Sequence, residues 1–331
     1  MGIVKNSLYR VASGAWLRFF KNEPVFGYYH LVRNNKVPHI EHLYAYKNVA
    51  QFVADVDFLK ANYRATTPAE LRDGRAGKNV FLLSFDDGLE EIYSVVFPIL
   101  KAKNLRAVFF INPNFVDNAE SLYKHDISVI IGHLKAQGFN AANMAIVKEI
   151  LPITFQSNEE FAAKFKQLKF ADRDKVKEIA VALGIDMRSY LKQHTPYISK
   201  AQIKEMLDAG FWFGGHTMSH PPLGQLSHAA QKAEIQQSVQ WLKDHFHIDY
   251  SLFAFPFTDK NISRRLIDEL LAEDDRLLIF GNSGLRQDVH PRIIQRFSLE
   301  NPTRETPKVI VAEHLYKIFN KLIGKYHIRR K

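Results

Sequence analysis

The chain has 331 residues, 46% hydrophobic, 12% aromatic and 24% charged, a composition that fits a folded globular protein and excludes a disordered or fibrous one. It has no cysteine, which excludes disulfides and thiolate metal sites, so any metal must be held by carboxylates and by some of the 14 histidines. The net charge of +10 favours an anionic partner such as a phosphate, a nucleic acid or a membrane surface, although solubility alone also accounts for such a charge, and no run of about 18 apolar residues exists to cross a bilayer.

The opening stretch, Met1 to Lys21, sets Lys5, Arg10, Arg18 and Lys21 among short apolar pieces. It lacks both the continuous apolar core and the small-x-small cleavage site of a secretion signal, so the expected location is cytoplasmic. Phe26–Val32 reads as a strand. Asn48–Tyr63 reads as a helix with Val49, Phe52, Val53, Val56 and Leu59 on one face. Asn79–Phe85 is a buried strand ending in Asp-Asp-Gly, Glu90–Lys103 a helix, and Arg106–Asn112 the next strand. From residue 118 to 196 the strands stop, and helices are predicted at Leu122–Gln137, Asn158–Leu168 and Asp172–Leu183. This is read as a helical insertion and not as a separate catalytic domain.

Alternation then resumes. Ser199–Ala209 is a helix with Ser199 as N-cap and Gly210 just beyond its end. Phe211–Gly215 is a strand and His228–His247 a helix. The pattern continues with the strand Leu252–Phe255, the helix Ser263–Ala272, the strand Leu277–Phe280 and a further strand in Arg292–Leu299. Pro307–Leu322 is a closing helix, with Thr306 as cap and Pro307 at the first helical position. The segment 306–331 is basic, and Phe319–Lys331 is also amphipathic. The two basic ends are expected either to touch anionic headgroups at the inner membrane face or to be ordinary surface helices and frayed tails.

Repeated strand–helix units predict a parallel sheet. In a β/α barrel the chemistry sits at the C-terminal ends of the strands, so polar residues should follow each apolar run. They do: His30, Asp86-Asp87, Asn112 and Asn114, His216 and His220, and Thr258-Asp259.

Two adjacent carboxylates at a strand end, as in Ser84-Phe-Asp-Asp-Gly88, point in different directions, so one can hold a metal while the other accepts a proton. Asp-Gly is also a common turn pair. In Gly214-Gly-His-Thr-Met-Ser-His220, two histidines four apart on a helical turn would face one metal. Either motif alone is weak; with 14 histidines a His-x-x-x-His arises readily by chance. Together, one Asp and two His form a facial set that leaves positions open, with a second Asp as base. His228, His245 and His247, and the pair His39 and His42, are read as surface residues.

Ser84-Phe-Asp-Asp-Gly88, His216-Thr-Met-Ser-His220 and Phe253-Ala-Phe-Pro-Phe257, in this order, resemble the motifs of the polysaccharide deacetylases of NodB-homology type (carbohydrate esterase family 4). The likeness covers about Val80–Asn114 and Ile198–Asp259. The resemblance implies an α/β fold, a distorted (β/α) barrel, forming one catalytic domain over 1–331. It implies a divalent metal, often zinc, held by Asp87, His216 and His220, with Asp86 as general base toward a metal-activated water. It also implies the N–H of Phe257, after Pro256, as a donor to the oxyanion. Two features depart from the family pattern. The third motif has no Arg to contact the base, leaving Arg292 or Arg296 to tune Asp86. No Leu-x-His supplies the acid, and His290 is preferred to His314, which sits in a helix. His30, Asn112 and Pro256 are expected to line the substrate site.

The resulting expectation is removal of an acetyl group from an amino sugar in a glycan, or in a lipid- or nucleotide-linked glycan precursor. Two other readings stand beside it. One is a different C–N hydrolase on the same scaffold, a deformylase or cyclic amidase; the other is a non-catalytic carbohydrate-binding relic. Nucleic-acid binding is not expected, because the basic residues are dispersed without an aromatic–basic stacking pattern.

Overall fold

The computed structural model describes residues 3–20 and 22–331; Met1, Gly2 and Lys21, the last counted among the basic residues of the N-terminal stretch, lie outside the described residues. Among the described residues nine strands form one sheet: β1 Val25–Tyr29, β2 Arg64–Ala65, β3 Val80–Phe85, β4 Ala107–Ile111, β5 Trp212–Gly215, β6 Ser251–Ala254, β7 Leu277–Gly281, β8 Ile293–Gln295 and β9 Phe297–Ser298. The order is β8-β7-β6-β5-β4-β3-β1-β9, with β2 pairing β3 to one side. Each pairing is parallel. The two edge strands β8 and β9 are consecutive in the chain, with only Arg296 between them. The sheet therefore curls round until its edges nearly meet, and Arg296 sits at the seam.

The strands are apolar on both faces because they are covered on both. Every residue of β3, β4 and β7 is buried, as expected of parallel strands between a filled barrel and an outer layer of helices. Alternate residues segregate. Phe26, Leu82, Val108, Phe110, Leu252, Leu278 and Phe280 form one cluster. Their neighbours Val25, Phe81, Leu83, Phe109 and Phe213 join a second with helical residues such as Phe52, Val56 and Ile203. This is the period-2 alternation of a strand, one set facing inward and the other facing the helices.

Among the described residues there are thirteen α-helices: α1 Ile3–Val11, α2 Val49–Asn62, α3 Pro68–Arg72, α4 Phe97–Ala102, α5 Tyr123–Ala136, α6 Ala141–Ile150, α7 Asn158–Lys166, α8 Arg173–Ala182, α9 Met187–His194, α10 Lys200–Asp208, α11 His228–Phe246, α12 Arg264–Glu273 and α13 Thr306–Leu322. The helix expected over Glu90–Lys103 is divided. A π turn spans Ile92–Val96 before α4 begins, because Pro98 has no N–H to continue the regular ladder. Ser199 caps α10 with a full capping box, as its sequence predicts. Thr306 does not cap α13. Glu305 holds the cap position, while the Thr306 hydroxyl turns inward, donates to Asp55 Oδ1 at 2.6 Å and accepts from Lys47 Nζ at 3.1 Å.

Helices α5 to α9 fill the expected insertion and include two, α6 and α9, that its sequence pattern did not reveal. Ile127, Ile130, Phe161, Phe165, Val176 and Ile179 form their core together with Leu31, Val37 and Ile40 from the segment after β1. The ends of the insertion are clipped together: Tyr197 N–H donates to Asn118 Oδ1 at 2.9 Å, and Asn118 Nδ2 donates to the Tyr197 carbonyl at 3.2 Å. His39, expected at the surface, is buried in this region with Nδ1 at 3.0 Å from the Tyr190 hydroxyl. The chain's end is not frayed. Arg330 is buried against Asp259 and Asp288, and Arg264 N–H donates to the Lys331 carbonyl at 2.9 Å.

Candidate metal centre and active site

Three loops at the C-terminal ends of the strands converge. The ladder runs one residue past β3, Asp86 N–H donating to the Tyr29 carbonyl at 3.0 Å, and past β5, His216 N–H donating to the Ile111 carbonyl at 2.9 Å. The chain then turns sharply. Asp87 has φ of +72° and Gly88 of +64°, conformations that aim the two adjacent carboxylates apart. A side chain at Gly88 would press on Ile111.

Asp87 Oδ1 lies 3.4 Å from His216 Nε2 and 3.1 Å from His220 Nε2. One ligand atom from each of the three residues falls within 4.8 Å of the others, and all three residues are buried. The expectation that His216 and His220 share a helical turn is not met. They lie in an irregular loop with positive φ at Thr217 and His220, and that loop makes them converge. His216 Nδ1 is 2.9 Å from the Ala254 carbonyl; donating there leaves the Nε2 lone pair aimed at Asp87, the arrangement of a ligand imidazole. Asp87 Oδ1 is buried without a hydrogen-bond partner. An oxygen and two imidazole nitrogens converging on a buried, unsatisfied carboxylate fit a divalent cation, with hard and borderline donors and room for further ligands.

Asp86 points the other way. Arg296 clamps it bidentately, Nη1 to Oδ1 at 2.8 Å and Nη2 to Oδ2 at 2.9 Å. Nη1 also donates to Ser84 Oγ at 2.7 Å, and the guanidinium lies 4.9 Å from the Tyr28 ring centroid and 5.1 Å from that of Phe110. Burial would raise the Asp86 carboxyl, but Arg296 and the neighbouring His216 hold it below the usual range. Of the two arginines considered for this role, Arg292 goes elsewhere, donating to the carbonyls of Leu271 and Asp274.

The cavity above these residues has a volume of about 360 Å³ and is lined by Asp86, Asp87, His216, His220, His30, Tyr28, Tyr44, Phe255, Phe257 and Asn282, with Leu122, Lys124, His125 and Lys166 from the insertion. His30 stands in this wall, as expected. Its Nδ1 pairs with Glu300 Oε2 at 2.8 Å, and Glu300 Oε1 accepts the N–H groups of His30 and Leu31. Burial alone would lower the His30 pKa; the Glu300 carboxylate reverses this and, with Asp87 and Asp86, pushes it up to about 10. Phe257 has φ of +51°, and its ring meets His220 edge-on at 4.4 Å. Its N–H meets no acceptor among the described residues.

Three sequence-predicted residues are placed differently. His290 is not in the cavity wall; its Nδ1 accepts from Arg292 N–H at 3.1 Å within its own turn, because its strand end faces away from the pocket. Asn112 lies behind the wall, its amide donating to the His216 and Thr217 carbonyls and holding the histidine loop. Pro256 is also outside the wall, its carbonyl taken by Thr258 N–H. Sequence reasoning missed Glu300, Glu234 and His125. Glu300 stands four residues after Arg296, on the same side of an extended run, which is a readable signal. Glu234 accepts Met218 N–H at 2.7 Å, Ser219 N–H at 3.1 Å and the Ser219 hydroxyl at 2.8 Å; nothing in its helical surroundings marks it. His125 faces the pocket with Nδ1 at 2.7 Å from the Tyr197 hydroxyl.

A family model described as polysaccharide deacetylase matches residues 73–271, more than half of the chain. The chain belongs to the polysaccharide deacetylase family. Members are hydrolases that remove acetyl groups from polysaccharides. No curated protein matches the chain by sequence. Among solved structures it resembles the Streptococcus pyogenes deacetylase PplD in complex with acetate, at 15% identity, covering 88% of this chain and 96% of that one with a TM-score of 0.53. It also resembles IcaB from Ammonifex degensii at 19% identity, covering 88% and 97% with a TM-score of 0.53. A third likeness is to a de-N-acetylase from Aggregatibacter actinomycetemcomitans, at 14% identity, covering 87% and 99% with a TM-score of 0.52. At these identities the likeness is one of fold: a parallel sheet nearly closed into a (β/α) barrel. The matched segment contains Asp86, Asp87, His216 and His220 but ends before Arg296 and Glu300, so the seam residues are known from the geometry alone.

Proposed function

We propose that this deacetylase removes the acetyl group from the nitrogen of an amino sugar, within a glycan or a lipid- or nucleotide-linked glycan precursor. The observation that carries the reading is the divergence of two adjacent carboxylates at the end of β3. Asp86 is held ionised by Arg296 inside the cavity, and Asp87 is turned to two imidazole Nε2 atoms. A non-catalytic carbohydrate-binding relic has no need of a buried, arginine-clamped base beside a cation site.

A divalent ion, zinc in this proposal, would be held by Asp87, His216 and His220, and when bound supplies a Lewis acid that makes water nucleophilic near neutral pH. Asp86 accepts the proton of the attacking water, its carboxylate fixed by two N–H donors so that little reorganisation accompanies the transfer. The Phe257 N–H donates to the oxygen that gains charge at the acetyl carbon, an interaction worth about 3 kcal/mol of barrier. His30 takes the place left by His290 as acid. With Nδ1 on Glu300 it is kept protonated, and its Nε2 is the position from which a proton reaches the departing amine. Tyr28, Tyr44 and Phe257 give the sugar ring apolar surfaces.

Acetate release from N-acetylated amino-sugar oligosaccharides by wild type beside Asp86→Asn tests this. The variant leaves the buried Arg296 without its counter-charge and is expected to be less stable; assayed below its melting temperature it should lose about 10²-fold or more of kcat, the usual contribution of a positioned base. Wild-type rates in the variant would remove Asp86 from the mechanism, and no acetate from any amino-sugar oligosaccharide would remove the substrate class.

A further inference from the structure

Nine large hydrophobic side chains stand exposed among the described residues, and seven belong to the chain's two ends: Val4 and Val11 of α1, Trp16 and Phe19 of the following turn, and Ile318, Leu322 and Ile323 at the end of α13. These segments pack on one another. Tyr9, Ala12, Leu17 and Phe20 cover Val311, Ala312 and Leu315 of α13. Along that helix Val311, Leu315, Ile318 and Leu322 follow at helical spacing and form one stripe. Its first half is covered; its second half is bare, with Ile318 45% and Leu322 81% exposed.

The two end segments are strongly basic, and the acids at their borders, Glu23 and Glu313, are each paired to a lysine. Residues 3–20 and 314–331 contain no Asp or Glu and nine Lys and Arg. Lys5 pairs with Glu313, Lys317 with Glu23, and Arg330 with Asp259 and Asp288. Arg329 and Lys331 lie apart from this surface, beside Asp259 and Arg286; Arg10, Arg18, Lys321 and Lys325 have no carboxylate partner among the described residues. A second copy of the chain would set these cations against each other. An anionic bilayer meets both properties: apolar side chains enter the headgroup boundary while cations face the headgroups.

We infer that the surface formed by the first and last helices docks this protein on an anionic lipid bilayer. The inference is independent of the reaction proposed above. The start of α13 is tied through Thr306 and Asp55 to Tyr29, at the end of β1 that carries the site. The bare stripe lies at the other end of the helix, about 24 Å away at 1.5 Å per residue. Docking therefore leaves the cavity mouth open.

The test is co-sedimentation of the full chain with vesicles of phosphatidylglycerol in phosphatidylcholine, and with phosphatidylcholine alone. Binding is expected at low salt to the anionic vesicles only, with release near 1 M salt, where screening acts over about 3 Å. Lys321→Gln with Lys325→Gln should weaken partitioning about 25-fold, roughly fivefold per cation, and Phe19→Glu with Leu322→Glu should abolish it. All these side chains are at the surface, so the melting temperature should hold in each variant. No binding to anionic vesicles, equal binding to neutral ones, or unchanged binding by both double variants would overturn the inference. A wild-type dimer in solution that Phe19→Glu dissociates would also overturn it, assigning the surface to a second copy.

Discussion

At the scale of single residues the site rests on two paired charges, Asp86 with Arg296 and His30 with Glu300, and each pairing favours the charged form of the group that faces the cavity. His30 illustrates the sign. Glu300 raises its pKa to about 10, so the imidazolium persists through neutral pH and is lost as pH rises through that value. Glu300→Gln removes the largest raising charge, leaving burial opposed only by Asp87 and Asp86. The alkaline limb of kcat/KM should then move down by about one pH unit or more; an unmoved limb would show that His30 is not the titrating acid. Asp86, Asp87, His216 and His220 were legible because each follows an apolar run. The acid was not: His290 was preferred to His314, and His30 was expected only to line the site, because a one-dimensional pattern does not say which of these histidines reaches the cavity. Arg296 could be weighed only as one of two arginines, since the seam that points it inward arises when the sheet closes.

At the scale of elements, the buried strands were readable as short apolar runs, while α9 was hidden by its polar sequence and α6, mostly apolar but short, by an insertion with no strand to frame it. The loop 216–220 was read as a helical turn from spacing alone; its positive φ at Thr217 and His220 is stabilised by Asn112 and Glu234, which lie far away in sequence. Helix α13 buries His314, stacked 4.6 Å from Phe20, with both ring nitrogens unpartnered. Burial lowers its pKa to about 4. A histidine lowered from about 6.5 in the unfolded chain costs nothing above pH 6.5, and its penalty grows as pH falls toward 4, to about 3 kcal/mol. His314→Phe should remove that part of the acid loss and leave stability at pH 8 equal or higher. Urea denaturation at pH 5 and pH 8 checks this, and an unchanged gap between the two would contradict it.

At the scale of the molecule, the end of the chain packs back on the segments that follow β6 and β7, where the sequence suggested a loose basic tail. Arg330 sits between Asp259 and Asp288, and all three side chains are 2% exposed or less. Removing the cation leaves two buried carboxylates unpaired, so Arg330→Met should cost about 3–5 kcal/mol, read as a lowered melting temperature; a change under 1 kcal/mol would mean that water already reaches the cluster. The insertion was legible as a block, but its contribution of Leu122, Lys124, His125 and Lys166 to the cavity depends on how α5 and α7 fold back over the sheet.

The cation site and the base beside it are tested together by metal content from elemental analysis, taken with acetate release, on wild type, His216→Ala, Asp87→Ala and Asp86→Asn. About one divalent ion per wild-type chain is expected, lost together with activity in the first two variants, and retained without wild-type activity in Asp86→Asn. Metal retained in His216→Ala and Asp87→Ala, or acetate still released by Asp86→Asn at the wild-type rate, would contradict this expectation.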